Sequence, residues 1–321
     1  MRTTLRAAAA AGALALVVLV APVAHATAPP VAGAEPFEGG WVVPVSTQGP
    51  AWFDRAFADR IIAAGTKGVR APAGATFPDG STPAAVGLAM SGIRPGTWLI
   101  NLDLNKGFAW CTANFVFRKS SSFGLGTAGH CAAKDALPAF GSDVAAYVVP
   151  PPAAIAAGKT PGFYHIGRFV LSRNNGIGDD FAMVGIYSQY NTWMNPTMPV
   201  WGGPIGIKSD TTPTLVTHFG HGAVVGTGGT PRAGVAPIWT ARNGNAFAWY
   251  GVGTPGDSGS AVDDILQHAA GNFTHIVIYD GTKKNAVGEI LPGMLAGTRI
   301  THILQIANGW TLVNGSIVGA P

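Results

Sequence analysis

From about residue 84 the chain is a succession of short β-branched and aromatic runs, each soon broken by glycine, proline, serine or asparagine. "WCTANFVF" (110–117), "DVAAYVVP" (143–150), "FYHIGRFVLS" (163–172), "DFAMVGIY" (180–187), "TLVTHFGHG" (214–222) and "THIVIYDG" (274–281) share this character. Runs of that length between turn formers read as strands. The 45 glycines and 24 prolines among 321 residues supply the turns that many short strands need. No repeat of fixed period is visible. The expectation is an all-β fold, built as a barrel or a sandwich. One late stretch, "RITHILQIANG" (299–309), reads equally as helix or strand.

The first 80 residues differ. "MRTTLRAAAAAGALALVVLVAPVAHATAPP" has a positive start, a short apolar run and Ala24-His25-Ala26 as a small-x-small site. This pattern predicts a secretory signal peptide over 1–26, with the product outside the cell. The apolar run is short and alanine-rich for a membrane anchor, so no membrane attachment is expected once the signal is removed. Residues 27–83 then form an N-terminal extension or pro-segment. Within it, "AWFDRAFADRIIAAG" repeats Phe53, Phe57 and Ile61 at i, i+4, i+8, with Gly65 as a stop, which predicts one amphipathic helix.

Charge narrows the partners. Only 11% of residues are charged, against roughly 25% in ordinary domains. Without Arg2 and Arg6 the remainder carries 18 basic and 16 acidic residues, a net of +2. No basic stripe is present, so nucleic acid is not an expected partner. In an oxidising compartment the two cysteines, Cys111 and Cys131, are expected to pair. Two cysteines without clustered histidines and carboxylates do not make a closed metal shell.

Three motifs stand in order: "TAGHC" (127–131), "GDDFAMV" (178–184) and "GDSGS" (256–260). Each has a bland reading: a histidine beside a core cysteine, an acid opening a strand, a turn. Their order His, Asp, Ser suggests more. A serine hydroxyl needs a base to take its proton during attack, and the base needs a carboxylate to fix its tautomer.

With those motifs the chain resembles the chymotrypsin/trypsin-like serine peptidases, and most of all their small secreted bacterial, streptogrisin-like branch. "CTANFVF", "TAGHC", "DFAMV" and "GDSGS" carry the resemblance, which covers roughly residues 84–315. It implies two antiparallel six-stranded β-barrels with the active site in the cleft between them, over a domain of 84–321. It implies His130 as base, Asp180 as orienting acid and Ser258 as nucleophile. Asp180 is preferred to Asp179 because the family's acid directly precedes an apolar-Ala-apolar run, here Phe181-Ala182-Met183. The oxyanion hole falls to the N–H groups of Gly256 and Ser258, and the family's disulfide to Cys111 and Cys131. The implied activity is endopeptidase hydrolysis through an acyl-enzyme, on a protein or peptide substrate, by a monomer with no cofactor and no metal.

Departures from the family bear on the finer points. Ser260 stands where the family usually has glycine or proline. Asp257 needs a cation, for which Arg232 in "GTPRAG" is the candidate. Val252, six residues before Ser258, replaces the acid of trypsin-like enzymes and argues for a neutral or apolar substrate side chain. The specificity wall falls to either "HIVIYDG" or "AVGEILPG", and neither offers the family's serine that bonds the acid. His218 and His221 lie three apart, which on a strand sends them to opposite faces rather than to one metal. An α/β-hydrolase is set aside, because its order is Ser, Asp, His and Ser260 breaks its motif. Two alternatives stay open: a catalytically inactive, protease-like extracellular binding protein, and an esterase using the same triad.

Overall fold

The computed structural model describes residues 35–37, 40–44, 47–87, 90–102, 109–132, 141–222, 230–241, 244–279 and 294–316. The signal segment 1–26 and the wall candidate "AVGEILPG" (286–293) lie outside them.

Strands β1 (Glu35–Phe37), β2 (Gly40–Pro44) and β3 (Thr47–Gln48) come first. Helix α1 (Arg55–Ala64) follows. Asp54 caps it, its carboxylate accepting from the Phe57 amide at 2.8 Å. Gly65, at φ +59°, ends it. The helix expected from the Phe53–Phe57–Ile61 spacing is there, with all three residues buried.

The next strands are β4 (Trp98–Asn101), β5 (Ala109–Thr112), β6 (Val116–Lys119) and β7 (Ser122–Thr127). Then come β8 (Asp143–Val148), α2 (Pro152–Ala156), β9 (Gly162–Asn174) and β10 (Asp180–Ile186). Together β4–β10 make the first barrel. Strands β5 and β6 are two halves of one bent stretch. The Ala113 amide donates to Thr97 beside β4, and the Asn114 amide to Gly126 on β7. Counting that stretch once, the ring runs β4, β5/β6, β7, β10, β9, β8 and back to β4, six strands closed on themselves.

The second barrel follows β11 (Gly206–Ile207). It contains β12 (Thr214–Gly220), β13 (Thr230–Ala241), β14 (Ala246–Tyr250), β15 (Ala261–Asp264), β16 (His268–Tyr279) and β17 (Leu295–Arg299). The order β12, β13, β14, β17, β16, β15 returns to β12, again six strands. The fold is a pair of six-stranded antiparallel barrels. Closure leaves neither ring with an open edge of its own, which is how such proteins avoid pairing with one another. Helix α3 (Ile300–Ile306) and β18 (Thr311–Leu312) complete the chain. The undecided stretch 299–309 is therefore the end of a strand turning directly into a helix.

Strand periodicity sorts the cores. On β10, Ala182 and Val184 face the first barrel's interior with Leu99, Leu125, Val144 and Ile166. The alternate residues Phe181 and Met183 face the other way, into a layer shared with Phe219, Ala261 and Ile300. That layer joins the barrels. Trp98, Ile100, Trp110, Tyr147 and Phe163 also point out of the first barrel, and Phe53, Phe57, Ile61 and Phe77 of the extension cover them. The extension and the first barrel thus share one core.

Candidate active site

His130 sits in a single helical turn, Gly129–Cys131, straight after β7. A Cβ on Gly129 would lie 1.8 Å from the Arg173 carbonyl, so only glycine lets the turn come this close to β9. Cys131 is bonded to Cys111 on β5, which ties the turn to the neighbouring strand. The His130 amide donates to Asp180 Oδ1 at 3.0 Å. Its Nδ1 lies 2.7 Å from Asp180 Oδ2, and its Nε2 lies 2.6 Å from Ser258 Oγ. The ring therefore stands between a carboxylate and a hydroxyl, with both of its nitrogens engaged.

Asp180 opens β10 and is fully buried. Burial pushes its pKa up, but the charge and hydrogen bonds of His130, with a contribution from His275, outweigh this and hold it below the usual value. The second barrel fixes its backbone. The Asp180 amide donates to Thr298 Oγ1 at 3.1 Å, and its carbonyl accepts from Asn272 Nδ2 at 3.0 Å. Asn272 Oδ1 in turn receives the Thr298 amide. Neighbouring Asp179 turns away to Arg173 and His302.

Ser258 occupies a tight turn between β14 and β15. The Thr254 amide donates to Asp257 Oδ2 at 2.9 Å, and the Ser260 amide to the Asp257 carbonyl at 2.9 Å. Thr112 clasps the turn from β5: its amide donates to the Ser258 carbonyl, and its hydroxyl to the Gly256 carbonyl, both at 2.7 Å. Gly256 has φ +106°, and a Cβ there would lie 2.4 Å from the His221 carbonyl. Only glycine fits. The amides of Asp257, Gly259 and Ser260 are spent within the fold, whereas those of Gly256 and Ser258 meet no acceptor among the described residues.

The other singled-out residues fall as follows. Val252 is 51% exposed, and its carbonyl lies 3.1 Å from His218 Nε2. His221 lies past the end of β12, stacked on Trp98 with centroids 4.3 Å apart, so the two histidines serve different partners. Arg232 is on β13, its side chain outside the described residues. Sequence reasoning missed Asn272, Thr298 and His275. The last is fully buried, with Nδ1 3.7 Å from Asp180 Oδ2. His130, Asp180 and His275 bring three ligand atoms within 4.8 Å of one another. A cation there would have to break the His130–Asp180 hydrogen bond.

No family model matches the chain, and no curated protein does. Solved structures do. Thermobifida fusca Protease A shares 19% identity over 70% of this chain and 99% of its own, with a TM-score of 0.41. The chain is similar to bacterial proteases. A glutamic acid specific serine protease matches at 15% identity, 69% and 100% coverage and a TM-score of 0.42. Nocardiopsis protease matches at 20%, 68% and 98%, with 0.39. At these values the likeness lends the chain no activity, and any functional reading rests on the site's own geometry.

Proposed function

We propose that this chain is a secreted serine endopeptidase that hydrolyses peptide bonds through an acyl-enzyme on Ser258. The observation that carries the reading is His130, held at 2.7 Å from a buried carboxylate and 2.6 Å from a serine hydroxyl. In this reading Ser258 Oγ attacks a carbonyl carbon as its proton passes to His130 Nε2. Asp180 keeps the ring in the tautomer that leaves Nε2 free to accept, and stabilises the imidazolium that forms. The Gly256 and Ser258 amides receive the oxygen that becomes negative. One such donor is worth about 2.7–4 kcal/mol of transition-state stabilisation. His130 then returns the proton to the leaving amine, and water repeats the sequence on the ester. Val252 supports a preference for a neutral or apolar side chain on the acyl side.

The test is labelling by a fluorophosphonate probe together with turnover of peptide and ester substrates. Wild type is expected to label, and Ser258→Ala and His130→Ala to lose labelling and on the order of 10⁴-fold or more in turnover. Ser260→Ala, two residues on, is expected to keep labelling. A folded, disulfide-bonded and processed wild type that takes no probe would falsify the proposal. Ester turnover without peptide turnover would make the enzyme an esterase.

A further inference from the structure

Residues 70–86 form a loop with two arms, and the space between the arms is a cavity. The first arm starts beside Val69, whose amide and carbonyl exchange hydrogen bonds with Phe163 on β9, both at 2.9 Å. The second arm is pinned at Pro83, whose carbonyl accepts from the Tyr147 hydroxyl at 3.0 Å. Between them the chain turns at Phe77–Ser81, where the Phe77 amide donates to the Ser81 carbonyl at 2.8 Å. The turn is anchored too. Phe77 meets Tyr147 edge to face at 4.9 Å, and the Asp79 carboxylate faces His221. These fixed points hold the arms apart around about 570 Å³, within the roughly 300–1,000 Å³ of small-molecule sites. None of the triad lines this space.

The walls are apolar. Pro72, Pro83, Ala84 and Val86 come from the arms, and Tyr147 and Pro161 from the first barrel. The prolines have no N–H to offer, and the Tyr147 hydroxyl is already engaged with Pro83. A peptide backbone laid here would leave carbonyls without donors, whereas an aliphatic chain needs none. Among the described residues the walls hold one charged side chain, Arg70, and no acid, and Arg70 enters no ion pair. The missing acid speaks against a cationic ligand, and the lone guanidinium against a polyphosphate. A single guanidinium fork matches the two oxygens of one carboxylate.

We propose that this cavity binds a straight-chain aliphatic carboxylate, its chain against Pro72, Pro83, Val86 and Tyr147 and its carboxylate on Arg70. No bond is made or broken. The bound chain touches both arms and the barrel, and so ties the extension to β8 and β9. The proposal does not rest on the peptidase reading, because it holds equally for a chain without its nucleophile.

The test is calorimetric titration of the full chain carrying Ser258→Ala, with octanoate as the probe. One saturable site per chain is expected. Hexanoate is expected to bind roughly tenfold or more weaker, since each buried methylene is worth about fourfold. Octylammonium sets a cation against Arg70 and is expected to bind at least about tenfold weaker than octanoate. Arg70→Gln is expected to weaken octanoate by up to about fivefold and to leave octan-1-ol unchanged. Ala84→Trp fills the cavity and is expected to abolish binding of both. Arg70 and Ala84 are exposed, so both variants are expected to keep the parent's unfolding midpoint. The ligand series on the parent chain needs neither variant. Absence of saturable octanoate binding in the millimolar range overturns the proposal, as does equal binding of octanoate and octylammonium. Octanoate binding unchanged in a folded Ala84→Trp chain places the ligand elsewhere and also overturns it. Tighter binding of the peptide acid acetyl-Ala-Val-Ala than of octanoate hands the cavity to peptide ends and overturns it as well.

Discussion

Two fully buried aspartates, Asp180 and Asp263, meet the same solvent exclusion and answer it oppositely. Burial raises both, but Asp180 has His130 and His275 around it and ends below the usual carboxylate value. Asp263, on β15 just past the nucleophile, has burial and the like charge of Asp264 acting together, which push it well up. Neither of its oxygens finds a hydrogen-bond partner among the described residues. A carboxyl raised in the fold costs nothing below its unfolded pKa of 3.8. As pH rises beyond that value the unfolded chain ionises while the folded one keeps its proton, and stability falls. Asp263→Asn removes that slope. It is therefore expected to raise the melting temperature at pH 7.5 and to give no gain at pH 4, by thermal unfolding at the two pH values. In a chain of this size about 1 kcal/mol moves the midpoint by roughly 1.5 °C. An equal shift at both pH values would show that Asp263 is not the titrating group.

Among the elements, α1 bears most on how the extension is understood. Its apolar side, Phe57 and Ile61, lies on Trp110, Phe163 and their neighbours, with Phe57 and Phe163 meeting edge to face at 5.4 Å. Phe57→Ala is expected to cost about 3–5 kcal/mol, the range for emptying a buried aromatic position. Denaturant unfolding of the Ser258→Ala chain measures this free of self-digestion, and a cost below about 1 kcal/mol would mean a helix only loosely laid on the barrel. The helix itself was legible, because the Phe53–Phe57–Ile61 spacing, Asp54 and Gly65 are local signals. Its destination was not. "DVAAYVV" is apolar on both faces, and nothing in it says that Val144 and Ala146 face the barrel interior while Ala145 and Tyr147 face the extension. The site divides in the same way. His130, Asp180 and Ser258 stood out because each sits in a motif. Asn272, Thr298 and His275 reach Asp180 from β16 and β17, some 90 or more residues away, through contacts that only the packing of one barrel on the other creates.

On the scale of the whole molecule, the extension, the first barrel and the second barrel meet at one buried ring. Asp79, from the extension, faces His221 Nδ1 at 3.4 Å, while Nε2 lies 2.6 Å from the Gly96 carbonyl just before β4. The ring stacks on Trp98, and the His221 carbonyl packs against Gly256, one of the two proposed oxyanion donors. Asp79 is thereby connected to the catalytic turn without touching substrate. Burial raises its pKa, but the hydrogen bond and charge of His221, with the bonds from Ser81, bring it below 3.8. A depressed carboxylate contributes stability above its unfolded value and loses it as pH falls through the lower folded one. Asp79→Asn is expected to be less stable than wild type at neutral pH, with the difference closing in acid. If the pair also sets the turn, the same variant lowers kcat several-fold on processed enzyme with little change in KM, since an oxyanion donor acts on the transition state rather than on bound substrate. Loss of stability with kcat untouched would make Asp79 a brace of the extension alone. A fall in kcat that Asp79→Glu restores would make the extension part of the catalytic apparatus.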